Sequence, residues 1–472
     1  MAIIKFGTSG WRGILAEDFT FANARLLCQA IATYLKQVNL ASKGVVIGHD
    51  TRFQSEAFAV AAAEVMAGNG IVSYCTNRDC PTPVVSFAIR AGGRAGGINI
   101  TASHNPAEYN GLKFSPASGG PAPEEVTKPI ETITNRLTPA EVKRLPLNQA
   151  RQSGLVVEID PRPAYFQHLK TLVDSEVLRP AGLKVAVDVL YGTGRDYLDA
   201  FLQQAGVQVE LLHGWRDPYF GGQRPEPSAE FLTELAGRIP ATGAQLGLAV
   251  DADADRFGVM DGAGEYTEAN LILGLLLDYL IRTRGWDGGV ARSVATTHLV
   301  DRVAKLYGRP VFETRVGFKY LGRYITADQA VMVGEESEGF SMKGHLPEKD
   351  GILAGLMVAE MVARTGKGLP ELQADLFSRV GPVYNRRLNF SLTPEAKERL
   401  LTSLQQAPAS FAGLKVSQHI TLDGHKFILE DGSWVCFRPS GTEPVVRFYF
   451  EAFSPDALAK LRQAGEALIQ EA

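Results

Sequence analysis

Short runs of apolar and β-branched residues, each followed by a stretch with helical spacing, recur along most of this chain and leave little choice of architecture. Residues 45–48, 71–75 and 97–100 read as buried strands; 21–37, 55–69 and a segment starting near Pro83 read as helices. The alternation resumes with KVAVDVL at 184–190, a helix through Ala205, and strands at 207–212 and 246–250. It resumes again with helix 269–281, strand 290–295, helix 298–307, strand 331–334 and helix 352–363. Such alternation packs as a parallel or mixed sheet covered by helices, and the three stretches look like diverged copies of one layer. A short strand is also expected at 3–6, ahead of the turn-rich segment 7–13. The first boundary falls near the end of the Pro-, Glu- and Thr-rich segment 116–151. From about Val383 the texture changes to an alternating strand at 384–392, a helix at 394–405, three strand-like runs between 414 and 451, and a last helix at 455–469. That is a small α+β module with an antiparallel sheet.

Composition narrows the function. A net charge of −4 over 472 residues provides no positive field for nucleic acid or an anionic membrane, so any anionic ligand must be held by local basic groups. Cys28, Cys75, Cys80 and Cys436 form no CxxC pair, which argues against a zinc site or disulfide framework and for reduced thiols. No run of about 18 apolar residues occurs, and MAIIKFGTSGWRG has no apolar leader core, so a cytoplasmic protein is expected.

Chemistry concentrates in loops that follow apolar runs. Residues 97–100 lead into TASHNP at 101–106, where Asn105-Pro106 forces a turn and leaves the Ser103 hydroxyl at a strand end. His104 is adjacent, but neighbours on an extended strand point to opposite faces, so adjacency alone does not establish a Ser-His pair. By itself the hexapeptide reads better as a tight turn than as a catalytic loop. The strand at 246–250 runs into DADADR, where Asp251, Asp253 and Asp255 would repel one another unless a cation sat among them. A hard divalent ion such as magnesium, which prefers oxygen ligands, suits that arrangement. In GEESEG at 334–339, Glu335 and Ser337 would project to one side if the chain stayed extended, offering an acceptor and a hydroxyl for sugar hydroxyls. Lys343, His345, Lys349 and Asp350 form a polar cluster beyond it. RPSGTEPVVR at 438–447 combines Arg438 and Arg447 with Ser440, Gly441 and Thr442, a phosphate cradle of guanidinium, hydroxyl and backbone N–H groups. Arg12 in TSGWRG and Lys113 in GLKF are further cations that could neutralise a serine-bound phosphate.

TSGWRG, TASHNP, DADADR, GEESEG and RPSGTEP, in this order over almost the whole chain, resemble the α-D-phosphohexomutase superfamily. The resemblance implies four domains around a central cleft, at 1–150, 151–257, 258–378 and 379–472, the first three α/β with mixed sheets and the last α+β. It implies that Ser103 is phosphorylated in the active enzyme and that Asp251, Asp253 and Asp255 hold Mg2+ together with an oxygen of the group on Ser103. Glu335 and Ser337 then recognise the sugar; Arg438, Ser440, Gly441 and Thr442 hold the phosphate that is not reacting, with Arg447 and Lys349 as further substrate contacts. Arg12, His104, Lys113 and Arg256 support the reacting group. The implied reaction interconverts hexose 1-phosphate and hexose 6-phosphate through a hexose 1,6-bisphosphate, which also serves as activator. Partners would be small-molecule sugar phosphates, with the protein a monomer or homodimer. GEES is similar to the glucose-preferring members rather than to GEMS or GEQS, so glucose is expected ahead of mannose. Where dual-specificity members place Gly-His, this chain has Glu338-Gly339, which leaves His345 or Lys349 as candidate proton carriers. Competing readings are a phosphoglucosamine mutase, a metal-dependent sugar phosphatase with an aspartate nucleophile, and a non-catalytic sugar-phosphate binder.

Overall fold

The computed structural model describes residues 4–7, 10–440 and 445–471. Its first sheet has six strands in the order Trp11–Ile14, Tyr109–Pro116, Gly96–Ile100, Val45–His49, Ser73–Thr76 and Val156–Ile159. The second runs Phe257–Met260, Leu246–Val250, Lys184–Asp188, Gln208–Leu212, and the third Val311–Thr314, Gly289–Ser293, Ala330–Glu335, Gly339–Met342. All three are mixed, one of the two arrangements the sequence pattern allows. In each, a buried strand of the parallel set turns back into an antiparallel neighbour: Gly96–Ile100 into Tyr109–Pro116, Leu246–Val250 into Phe257–Met260, Ala330–Glu335 into Gly339–Met342. The connecting loops carry TASHNP, DADADR and GEESEG. A fourth, antiparallel sheet orders Tyr384–Ser391, Val445–Ala452, Trp434–Pro439, His425–Leu429, Leu414–Ile420 and Ser410–Phe411.

Helix termini follow local chemistry. The helix Phe21–Gln37 is capped by Thr20, whose side chain accepts from the Asn23 N–H, and Gly351–Thr365 by Asp350, which accepts from the Leu353 N–H. The latter helix is buried from Gly351 to Val362, which explains its nearly unbroken apolar sequence.

Two expectations change here. Residues 4–6 form no strand; the first strand is Trp11–Ile14, paired to Tyr109–Leu112. Side chains satisfy the backbone at 4–6 instead: Asn135 accepts from the Ile4 N–H and donates to its carbonyl, while Glu131 accepts from the Phe6 N–H. Between 414 and 451 there are four strands rather than three. All four cysteines are free thiols. No helix among the described residues is long and apolar enough to cross a membrane.

One continuous apolar core joins the first three units, running from Val84 and Ile89 through Tyr165, Phe201 and Leu248 to Leu276, Leu353 and Leu376. The last unit has its own core, including Phe437, Phe448, Phe450, Leu400 and Leu461. It meets the third unit through a smaller cluster of Ala295, Trp434, Cys436 and Tyr449. Beside that cluster the buried Lys426 Nζ donates to the Val294 carbonyl at 2.9 Å and faces Glu313 Oε1 and His298 Nε2, each at 2.8 Å. Burial, then Arg292, lowers the Lys426 ammonium to about 8. Phe448 is fully buried and stacks on Phe437 at 4.6 Å and Phe450 at 4.7 Å. Phe448→Ala should therefore cost the last unit about 3–5 kcal/mol. Scanning calorimetry should show a separate transition moving to lower temperature while the main transition stays in place.

Candidate active site

The loop bearing Ser103 is shaped by a residue outside every motif named above. Arg52 is fully buried, and its guanidinium donates to four carbonyls of the loop and its exit: Ser103 and Asn105 at 2.5 Å each, Pro106 at 2.7 Å and Tyr109 at 3.0 Å. Its charge is matched by Asp50 at 3.1 Å, and the Phe220 ring lies 4.9 Å below it. The available signal was an Asp-Thr-Arg at the end of a buried strand, the same position the other motifs occupy. Gripped this way, Ser103 adopts φ 52°, its N–H donating to Thr101 Oγ1 at 2.9 Å. The left-handed turn defeats the alternation argument: His104 Nδ1 lies 3.3 Å from Ser103 Oγ. Arg12 donates to Asn105 Oδ1 at 2.5 Å and so braces the same loop.

Ser103 Oγ donates to Asp251 Oδ2 at 2.8 Å, so the serine and the acidic loop meet although 148 residues separate them. Asp251 Oδ1 accepts the N–H groups of Asp255 and Arg256 at 2.9 and 3.0 Å. Lys113 Nζ donates to Asp253 Oδ2 at 2.5 Å and Asp255 Oδ2 at 2.9 Å; Lys349 Nζ reaches the latter oxygen at 3.2 Å, and Thr82 donates to Asp253. Asp253 Oδ1 and Asp255 Oδ1 are buried with no hydrogen-bond partner. The three carboxylates, all buried, each present an oxygen within 4.8 Å of the others. Two orphaned carboxylate oxygens beside a third carboxylate fit a hard divalent cation. Burial and then Asp253 and Asp255 push the Asp251 carboxyl well above its ordinary range. Asp255 goes the other way: burial opposes its ionisation, but Lys113, Lys349 and Arg256 outweigh it. The helix Gly351–Thr365, which begins two residues after Lys349, comes close enough that a Cβ on Gly351 would sit 2.2 Å from the Arg256 carbonyl. Only glycine fits there.

The remaining candidates surround this centre unevenly. Burial, then Arg256 and Arg12, holds His104 well below the usual imidazole range, so it is neutral. Arg256 lies 3.6 Å from Glu338 and 3.9 Å from Glu226. The chain does not stay extended after Glu335: residues 336–338 form a turn with Glu338 at φ 62°, so Glu335 and Ser337 are not aligned by strand alternation. Glu335 is buried and accepts the Gly317 N–H at 2.6 Å, whereas Ser337 is half-buried. Burial, with Glu336 next, raises the Glu335 carboxyl to about 7; burial raises Glu338 to about 7 as well. Lys349 also contacts Glu348 at 3.1 Å. His345 lies behind the site, buried, with Nε2 on Asp350 at 2.8 Å and Nδ1 facing His168 at 3.0 Å, so both ring nitrogens are engaged away from Ser103. In the last unit Arg438 Nε donates to Asp423 Oδ2 at 2.9 Å, and Arg447 pairs with it in register. The Ser440 N–H donates to the Val445 carbonyl, and Lys397 donates to the Ser440 carbonyl. Gly441 and Thr442 lie outside the described residues.

This arrangement, a serine oxygen against a buried acidic loop with arginines on a separate unit, agrees with the family comparisons. Phosphoglucomutase/phosphomannomutase alpha/beta/alpha domains I, II and III match residues 4–141, 163–264 and 268–380, and the C-terminal domain of that family matches 389–467. The chain belongs to the α-D-phosphohexomutase superfamily. It is an intramolecular phosphotransferase of that superfamily, with the four-domain architecture expected from the sequence. A phosphoglucomutase from Komagataeibacter xylinus is 32% identical over 98% of this chain and 89% of its own length. A Pyrococcus abyssi protein assigned as a phosphoglucosamine mutase is 31% identical over 99% and 98%. A crystal structure of a Thermus thermophilus protein assigned as a phosphomannomutase superposes with a TM-score of 0.86 at 33% identity, covering 99% of each chain.

Two tests of this phosphohexomutase's site follow from its geometry. Arg52→Leu leaves Asp50 and four carbonyls without their partner and should cost about 3–5 kcal/mol in thermal denaturation. Glu335 takes up its proton more readily folded than unfolded, so it favours folding at acid pH and loses that contribution as pH rises through its unfolded range toward about 7. The melting temperature of Glu335→Gln relative to the wild type should therefore shift in the variant's favour between pH 5 and 8.

Proposed function

We propose that this phosphohexomutase interconverts glucose 1-phosphate and glucose 6-phosphate, using mannose phosphates more slowly, with Ser103 as the phosphoryl carrier and glucose 1,6-bisphosphate as intermediate. The observation that carries this reading is Ser103 Oγ at 2.8 Å from Asp251, inside an acidic loop with two orphaned carboxylate oxygens. Asp251, Asp253 and Asp255 would hold Mg2+ there, and the bound ion supplies charge neutralisation for the transferring phosphoryl group. Lys113 pairs with Asp253 and helps keep Asp255 ionised; Arg12 and Arg256 bring positive charge to the same space, with no ion pair to the trio among the described residues. Neutral His104, 3.3 Å from Ser103 Oγ, takes the hydroxyl proton when Ser103 accepts a phosphoryl group and returns it when the group leaves.

Glu335 and Ser337 engage hydroxyls common to both orientations of the sugar, with Lys349 at their side. Arg438, Ser440, Gly441, Thr442 and Arg447 hold the phosphate at the far end. Because the intermediate must be accepted either way round, that distal site should contact phosphate oxygens and leave the carbon bearing them unread.

GEESEG and the Komagataeibacter relative favour glucose; the Pyrococcus relative keeps a phosphoglucosamine mutase as the second reading. A coupled assay with magnesium, a trace of the matching bisphosphate and each of glucose, mannose and glucosamine 1-phosphate decides between them. Glucose should be fastest, and comparable turnover of glucosamine phosphate would reverse the ranking. Chelation should abolish turnover and Mg2+ restore it, while Ser103→Ala should lower kcat by about four orders of magnitude or more. The phosphoenzyme should survive hydroxylamine, which an aspartyl phosphate, the intermediate of a phosphatase, would not.

A further inference from the structure

The antiparallel sheet of the last unit has two faces. One carries Phe427, Val435, Phe437, Val446, Phe448 and Phe450 into that unit's own core. The other is fixed by register: Arg387 lies opposite Tyr449 and Asn389 opposite Arg447, while Cys436 lies opposite Tyr449 and Arg438 opposite Arg447. Opposed residues share a face, and a step of two along a strand returns to it. Arg387, Arg438 and Arg447 therefore stand on one face. Cys436 and Tyr449 dock that face against Ala295 of the third unit, the unit that also carries the turn after Glu335.

Arg438 and Arg447 belong to the phosphate cradle; Arg387 belongs to no motif. It is the diagonal neighbour of Arg447, at a Cα separation of about 7–8 Å that two arginine side chains can span to meet one dianion. Glu336 and Glu338, on the turn after Glu335, act on Arg387, and Glu336 also acts on Arg438 and Tyr449. Yet among the described residues no carboxylate lies within 4.0 Å of the Arg387 guanidinium, whereas Arg386, on the opposite face, pairs with Glu268 at 3.1 Å. An exposed guanidinium on an edge strand usually only guards the edge. Arg387 is exposed on such an edge strand, yet its register sets it beside two arginines and within the field of Glu336 and Glu338.

We propose that Arg387 is a further substrate-binding residue of this mutase, a third guanidinium that reaches the non-reacting phosphate from the side nearer the sugar. The inference rests on the mutase reading, and the experiment separates the two. Wild-type turnover of glucose 1-phosphate establishes the reaction; its absence would remove that reading. In the active enzyme, Arg387→Gln should raise KM for glucose 1-phosphate by about 10- to 100-fold with kcat changed by less than about threefold, and Arg387→Lys should recover part of the loss. Arg386→Gln should leave both constants at wild-type values. Independently of turnover, calorimetric Kd for glucose 6-phosphate measured in the Ser103→Ala background should rise by the same factor with Arg387→Gln. Unchanged KM and Kd in Arg387→Gln, or an equal loss in Arg386→Gln, would overturn the assignment.

Discussion

The contact between Ser103 and Asp251 organises this molecule, and it exists only because opposing charge is distributed with care around three buried carboxylates. Like charges this close cannot all ionise in a dry site. Lys113 takes one oxygen each from Asp253 and Asp255, Lys349 adds to Asp255, and backbone N–H groups serve Asp251. What remains is a pair of carboxylate oxygens facing inward without partners, a local cost that a bound cation would relieve. The first and third units each supply one lysine, and the second supplies the acids. The charge balance is thus itself a reason for the three to share a core.

The same structural device is used three times. In the first three units a buried strand leaves the parallel part of its sheet and returns antiparallel, and the loop at that reversal carries the functional side chains. In the last unit Arg438 and Arg447 stand on adjacent antiparallel strands, Trp434–Pro439 and Val445–Ala452. A strand anchored on both sides by ladder bonds gives its terminal loop a fixed origin, so residues from distant parts of the sequence can be aimed at one point. In the loop bearing Ser103, Arg52 adds to that anchoring by holding four carbonyls.

Much of this was legible in the sequence because short buried strands and capped helices have strong local signatures: the strand Leu246–Val250 and the helix Phe21–Gln37 stand where the pattern puts them. The motif loops were legible too, since each follows an apolar run. What failed was local geometry that breaks the extended-chain rule. The left-handed turn at Ser103 brings His104 alongside the serine, and the turn at Glu338 removes the alternation assumed for Glu335 and Ser337. Arg52 was missed because its role is to bind backbone, which leaves no spacing signature. Arg387 was missed because its neighbours in space, Arg447 and Tyr449, lie on a strand that is distant in sequence. Lys113 and the aspartates it serves are some 140 residues apart, a proximity that only the folded chain reveals.

The ammonium of Lys426, enclosed between the last unit and the Val294 carbonyl, Glu313 and His298 of the third, sets how these two bodies can move. Pulling them straight apart would strip that cation of its three polar partners at once and leave it only the Trp434 ring of its own unit, 4.3 Å away, whereas a rotation about it would keep those partners in reach. Such a contact resists separation more than turning, as a pivot pin does, so relative movement of the two bodies would be felt most at the arginine-bearing end of the sheet.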